Sequence, residues 1–192
     1  VAGVGVIVAR HEESAVLVTC SHVVVPFLSA GAPHKPAVAN PVWVALSNGQ
    51  SGRGTVRWCA PPPVDVALVV VEGLTDIPDP VPITETTESL TSGALVTVIP
   101  NPLRNGWIAH EGRVLRKERK ETPVGTYDLV FSNIPILQGD SGSGLFDENG
   151  QLVGINTWML KTPGIHQTIS LSSKTMSDIL DGIEGLNGRT AP

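Results

Sequence analysis

Short apolar runs alternate with polar punctuation along this chain, and most are too short and too rich in β-branched residues to be helices. GVGVIVA (3–9), AVLVTCS (15–21), VWVALSN (42–48), GTVRWCA (54–60) and VDVALVVVE (64–72) are each bounded by Gly, Pro, Asn or Ser, the pattern of strands closed by turns. A second group follows: ALVTVIP (94–100), IAHEGRVLRKE (108–118), TYDLVFSN (126–133), SGLFDENGQLVGINTWML (143–160) as a hairpin around Glu148, Asn149 and Gly150, and HQTISLS (166–172). Between the groups, GLTDIPDPVPITETTES (73–89) carries Pro78, Pro80 and Pro82, which lack the N–H that a central strand must donate, so this stretch predicts a connection. Only SSKTMSDILDGIEGL (172–186) changes period: Met176, Ile179, Leu180 and Ile183 recur at helical intervals, and Ser172 or Ser173 is placed to cap the start.

The pattern therefore predicts an all-β protein, two packed antiparallel β-barrels of the six-stranded type with a C-terminal helix. The expected domains are an N-terminal barrel over 1–75, a linker over 76–90, a second barrel over 91–172 and a helix over 173–186, with a functional cleft between the barrels.

Composition narrows the function classes. With 41% hydrophobic and 16% charged residues in 192, the chain is of ordinary globular make-up. Its net charge of −5, and the interruption of its one basic cluster, RVLRKERK (113–120), by Val, Leu and Glu, argue against nucleic acid as partner. No run approaches the ~20 apolar residues of a membrane span. The sequence opens at Val1 rather than Met, which leaves room for a signal peptide, an anchor or a pro-segment ahead of it. Cys20 and Cys59 are too few for a disulfide scaffold, and free thiols and a single bridge both stay open. No cofactor or metal is expected; a metal site through His110 or His166 lacks ligand spacing.

The densest group of small residues is ILQGDSGSGLF, 136–146. Gly139, Gly142 and Gly144 permit backbone conformations and close approaches that no side chain allows, so the stretch reads as a tight turn presenting Ser141 beside converging N–H groups. A serine hydroxyl needs a base, and the base needs a carboxylate to fix its tautomer. Of five histidines, His22 in LVTCSHVVV is expected at the end of an apolar strand, where the backbone is held still. Asp65 in PPPVDVALVVV is a carboxylate set directly against a long apolar run, where a buried charge demands a partner.

VTCSHVV, VDVALV and GDSGSGL, in the order His, Asp, Ser, resemble the three signature segments of trypsin-like serine proteases, and VIPNPLRNG, NGQLVGINT and the terminal helix resemble the HtrA/Deg-type branch. The resemblance covers nearly the whole chain. It implies a serine endopeptidase with Ser141 as nucleophile, His22 as general base and Asp65 as orienting acid, and with the backbone N–H groups of Gly139 and Ser141 as oxyanion donors. It implies a polypeptide substrate and leans towards a periplasmic or secreted setting. Its S1 pocket maps to Pro135, Ile136, Leu137 and Gln138, to Thr157, Trp158 and Met159, and to Gly164 and His166. Pro135 stands where basic-residue cleavers carry a carboxylate and Met159 narrows the entrance, which implies cleavage after small or medium aliphatic residues; His166 is the alternative determinant, for an acidic or amide side chain. Asp140 departs from the Asn usual before the nucleophile in the HtrA branch. A catalytically silent peptide-binding module of the same fold is the competing function.

Overall fold

A computed structural model of the chain describes residues 2–25, 41–60, 62–101, 106–123, 125–162 and 165–181. The first group of strands is β1 (Val6–His11), β2 (Ser14–Thr19), β3 (Val42–Ala45), β4 (Ser51–Cys59) and β5 (Ala67–Glu72), interrupted after β2 by a single helical turn, α1 (Ser21–Val24). The second is β6 (Leu95–Val98), β7 (His110–Thr122), β8 (Gly125–Ser132), β9 (Gly144–Phe146), β10 (Leu152–Thr162) and β11 (Ile165–Ser172), followed by α2 (Ser173–Asp181). All strand pairs are antiparallel. The expected all-β, two-unit architecture is found. The second unit is a closed six-stranded barrel in the order β10-β11-β8-β7-β6-β9; in the first, the described residues form a five-stranded sheet in the order β1-β2-β5-β4-β3.

Strand periodicity explains why the central runs are apolar throughout. In β2, Val16 and Val18 enter one cluster while Ala15 and Leu17 enter another; in β5, Leu68 joins the first and Ala67, Val69 and Val71 the second. Successive side chains point to opposite faces, so a strand buried on both sides loses the alternation of a half-exposed one. The first cluster is the common core: Val16, Val18 and Leu68 meet Phe131, Ile155 and Leu171 of the barrel there. A third cluster, including Val96, Val130 and Leu145, fills the barrel interior.

Helix α2 packs Met176, 1% exposed, into the common core. Full burial of such a side chain stabilises by about 1.5–3 kcal/mol. Ser172 is the residue that caps it, its Oγ accepting the Thr175 N–H at 3.3 Å. The helix is described to Asp181, and the remainder of the expected 173–186 span lies outside the described residues. The proline-rich segment between β5 and β6 carries only an isolated bridge, Ile83 to Leu152.

One register positions the chemistry. β2 ends at Thr19 opposite Ala67, where β5 begins, so residues 20–22 and 65–66 lie side by side although more than forty positions apart.

Candidate active site

Two bonds join His22 and Asp65. The His22 N–H donates to Asp65 Oδ1 at 3.0 Å, and His22 Nδ1 lies 2.6 Å from Asp65 Oδ2. Asp65 is 9% exposed, and this pairing answers the cost of burying its charge. The expectation that His22 ends a strand is corrected: it sits on α1. The turn is set from a distance, because Ser21 Oγ donates to Val66 O at 2.7 Å while Asp65 takes the His22 N–H, and Val25 N–H closes onto Ser21 O at 2.8 Å. With the Nδ1 side committed to the carboxylate, the Nε2 side of the ring is the one available for proton transfer.

Ser141 sits between β8 and β9 in a run of tight turns. Asp140 N–H donates to Leu137 O at 3.1 Å, with Gly139 at φ 100°, and Leu137 N–H returns to Asp140 Oδ2 at 2.7 Å. The Ser141 carbonyl accepts Val4 N–H at 2.8 Å, and Val4 O in turn accepts Thr19 Oγ1 at 2.6 Å. Gly142, at φ 88°, donates its N–H to Asn156 O at 2.9 Å. A β-carbon on Gly142 would overlap Val4 O and Thr19 Oγ1, so this glycine is required by both its conformation and its neighbours. Gly3 is pressed from both sides in the same way: a β-carbon there would lie 2.6 Å from Val23 Cγ2 and 2.9 Å from Ser141 O. The Ser141 loop and the turn carrying His22 thus flank one strand of backbone.

Cys20 completes the group. Its thiol, fully buried, donates to Asn156 O at 3.2 Å, the same oxygen that holds Gly142. Cys20, His22 and Asp65 offer donor atoms within 4.8 Å of one another, a cluster that sequence spacing did not reveal. As a metal set it fits poorly: burial, and then the charge of Asp65, pushes the Cys20 thiol well above its ordinary range, so the thiolate a metal needs is disfavoured. Both cysteines are free, and burial also raises the Cys59 thiol. Burial likewise raises Asp140, 2% exposed, opposed by the Leu137 N–H and by His110, and among the described residues its buried Oδ1 has no hydrogen-bond partner.

The expected substrate-binding residues separate. Leu137, 64% exposed, Pro135 and Gln138 stand at the surface beside the Ser141 loop, but Ile136 is buried in the barrel core with Val96 and Leu145. Thr157 is buried and donates to Ile169 O at 3.1 Å, while Trp158 and Met159, 37% and 41% exposed, present side chains outward. Met159 pairs with Thr168, whose hydroxyl bonds Ile134 O, so β11 braces the segment leading to the loop. His166 is exposed opposite Lys161 near the end of the β10–β11 hairpin, away from that brace. Gly164 lies outside the described residues. Val4, Cys20 and Asn156 were not foreseen as contributors; the one sequence signal for Asn156 is a polar side chain within the apolar run LVGINTWML.

A five-stranded sheet and a closed six-stranded barrel, with a His–Asp pair on one and a glycine-framed serine on the other, define a class, and comparison with known proteins gives the family. Residues 3–155 match the family model described as a trypsin-like peptidase domain, and the chain belongs to that family of serine peptidases. Among solved structures it is similar to the HtrA-type protease AlgW with decapeptide: 24% identity, TM-score 0.71, covering 92% of this chain and 50% of that one. It is also similar to the Rv3671c protease of M. tuberculosis in its inactive form, at 25% identity and TM-score 0.68, covering 95% of this chain and 84% of that one. A serine endoprotease from Yersinia pestis shares 22% identity at TM-score 0.68, covering 93% of this chain and 56% of that one. The chain spans about half the length of the AlgW and Yersinia pestis structures it matches. No curated protein matches it significantly.

Proposed function

We propose that the chain is a serine endopeptidase working through His22, Asp65 and Ser141 and an acyl-enzyme intermediate. The observation that carries this reading is that the doubly bonded His22–Asp65 pair and the turn bearing Ser141 are tied to shared backbone, through Asn156 O and the Gly3–Val4 segment. In the proposed reaction Ser141 Oγ attacks the peptide carbonyl carbon as its proton passes to His22 Nε2. The N–H groups of Gly139 and Ser141 receive the oxyanion, a contribution of about 10² to 10³ in rate per donor. His22 then gives its proton to the leaving amine as the C–N bond breaks. Water repeats the sequence in reverse to free the acid.

A polypeptide substrate is supported by β10. On the β9 side its pairing reaches Ile155, and among the described residues no strand pairs it there beyond that point, which leaves an edge on which an extended peptide adds as a strand. AlgW is described with decapeptide and with tripeptide. Met159 on that edge, with Pro135 uncharged, favours small or medium aliphatic residues before the cleaved bond. The same edge would serve a silent peptide-binding module, so the deciding experiment addresses the nucleophile. A fluorophosphonate probe is expected to label the wild type and not Ser141→Ala; absence of wild-type labelling with peptide binding retained would establish the binding module instead.

A further inference from the structure

Asn156 is a polar residue, fully buried in an apolar strand, whose hydrogen bonds reach the nucleophile's turn, the segment leading to His22, and β11. Its N–H donates to Ser143 O at 2.9 Å and its carbonyl accepts Gly142 N–H at 2.9 Å, a two-bond clasp on the residues immediately after Ser141. The same carbonyl accepts the Cys20 thiol at 3.2 Å, two residues before His22. Its amide Nδ2 donates to Ser143 Oγ at 2.8 Å, and Ser170 Oγ, on β11, donates to its Oδ1 at 2.7 Å. Ser143, Asn156 and Ser170 are each 0% exposed. A satisfied buried polar network rigidifies and fixes one arrangement, where an apolar side chain would only fill space. The β10–β11 register shifts immediately after Asn156, between Asn156 and Trp158, so the strand bends where the clasp is made.

Building on the proposed peptidase activity, we propose that Asn156 is a positioning residue for the nucleophile: its amide, oriented by Ser170, holds Ser143 and hence the Ser141–Gly142 turn at a fixed place relative to His22. Misplacement of a reacting group by about 1 Å costs on the order of 10²-fold in rate. Asn156→Leu keeps the main-chain clasp and the approximate volume while removing the amide. It is expected to lower kcat about 10- to 100-fold with KM within about threefold of wild type, and to slow acylation by a fluorophosphonate in parallel, because substrate contacts are untouched. Ser143→Ala and Ser170→Ala each remove one hydroxyl with little change of shape, and are expected to lower kcat about 3- to 10-fold with KM unchanged. They decide the matter if Asn156→Leu does not fold. The two effects at Ser143 and Asn156 should be non-additive in the double variant, since both break one link. If the folded variants lose thermal stability yet keep kcat within twofold of wild type, Asn156 is packing only and the inference is overturned. A wild-type protein without turnover and without label on Ser141 overturns the peptidase reading and this one together, there being no nucleophile to position.

Discussion

Gly142 and Gly150 share a backbone conformation, φ 88° and 73°, and differ in what surrounds them. Around Gly150 a β-carbon would meet nothing within 4 Å; at Gly142 it would overlap Val4 O and Thr19 Oγ1, with Val4 C at 3.1 Å. Replacing both by alanine, one at a time, separates strain from sterics. The left-handed conformation costs an alanine about 1–2 kcal/mol, which is the whole effect expected for Gly150→Ala. Gly142→Ala adds overpacking, about 1–3 kcal/mol, and displaces Val4 from its 2.8 Å bond to the Ser141 carbonyl, about another 1 kcal/mol. The sum is about 3–6 kcal/mol. For a chain of this size each kcal/mol moves Tm by about 2–4 °C, so Gly150→Ala should melt a few degrees below wild type and Gly142→Ala on the order of 10–20 °C below. Turnover of a peptide substrate should survive the first and vanish in the second, because the displaced segment is the one that holds Ser141. Urea unfolding with activity measured on the same samples makes the comparison. If the two variants lie within 1 kcal/mol of each other, the Val4 segment yields freely and does not clamp the Ser141 turn.

Three further outcomes follow from the site. Asp65→Asn keeps the shape but no longer holds the His22 Nδ1–H in place, and should cut kcat about 10⁴-fold; retention of more than a tenth of wild-type turnover would remove Asp65 from the mechanism. Asp140 is raised by burial, so the folded protein binds its proton more tightly than the unfolded chain and the wild type loses stability as pH climbs above the ordinary aspartate range. Asp140→Asn, which keeps an oxygen for the Leu137 N–H, should therefore raise Tm at pH 7, with the advantage fading as pH falls below that range; an advantage independent of pH would contradict the buried charge. A peptide library should show cleavage after Val, Ala or Leu, and Met159→Gly should admit Phe, gaining about 1–3 kcal/mol in relative kcat/KM; a wild-type profile dominated by Phe refutes the steric role, and one dominated by Glu moves it to His166.

The strands were legible because their physics is local. Runs such as VDVALVVVE and AVLVTCS are buried on both faces, and no other local structure suits so many β-branched residues. The pairing of His22 with Asp65 was legible from their context, polar groups set against apolar runs, as was the tight turn at Ser141 from its framing glycines. The turn under His22 was not: Val23, Val24 and Val25 favour extension, and what overrides them is a set of bonds to Asp65 and Val66 more than forty residues away. Nor was the burial of Ile136, which follows from barrel closure rather than from its neighbours in sequence. The Asn156 network links positions 143, 156 and 170, three separate stretches that only strand pairing brings together.

The order of these parts along the chain carries a consequence for synthesis. A chain grown only to Gly150 already contains His22, Asp65 and Ser141, yet it has neither the Asn156 carbonyl that receives Gly142 nor β10, which pairs with β9 just beyond the loop. Ser170, which fixes the Asn156 amide, arrives later still. Translation adds residues from the N-terminus, so the first sheet can form while the serine loop still lacks its scaffold. On the proposed mechanism, a nascent polypeptide built this way would carry its reacting groups unassembled, and would be kept from cutting itself until its last barrel strands emerge.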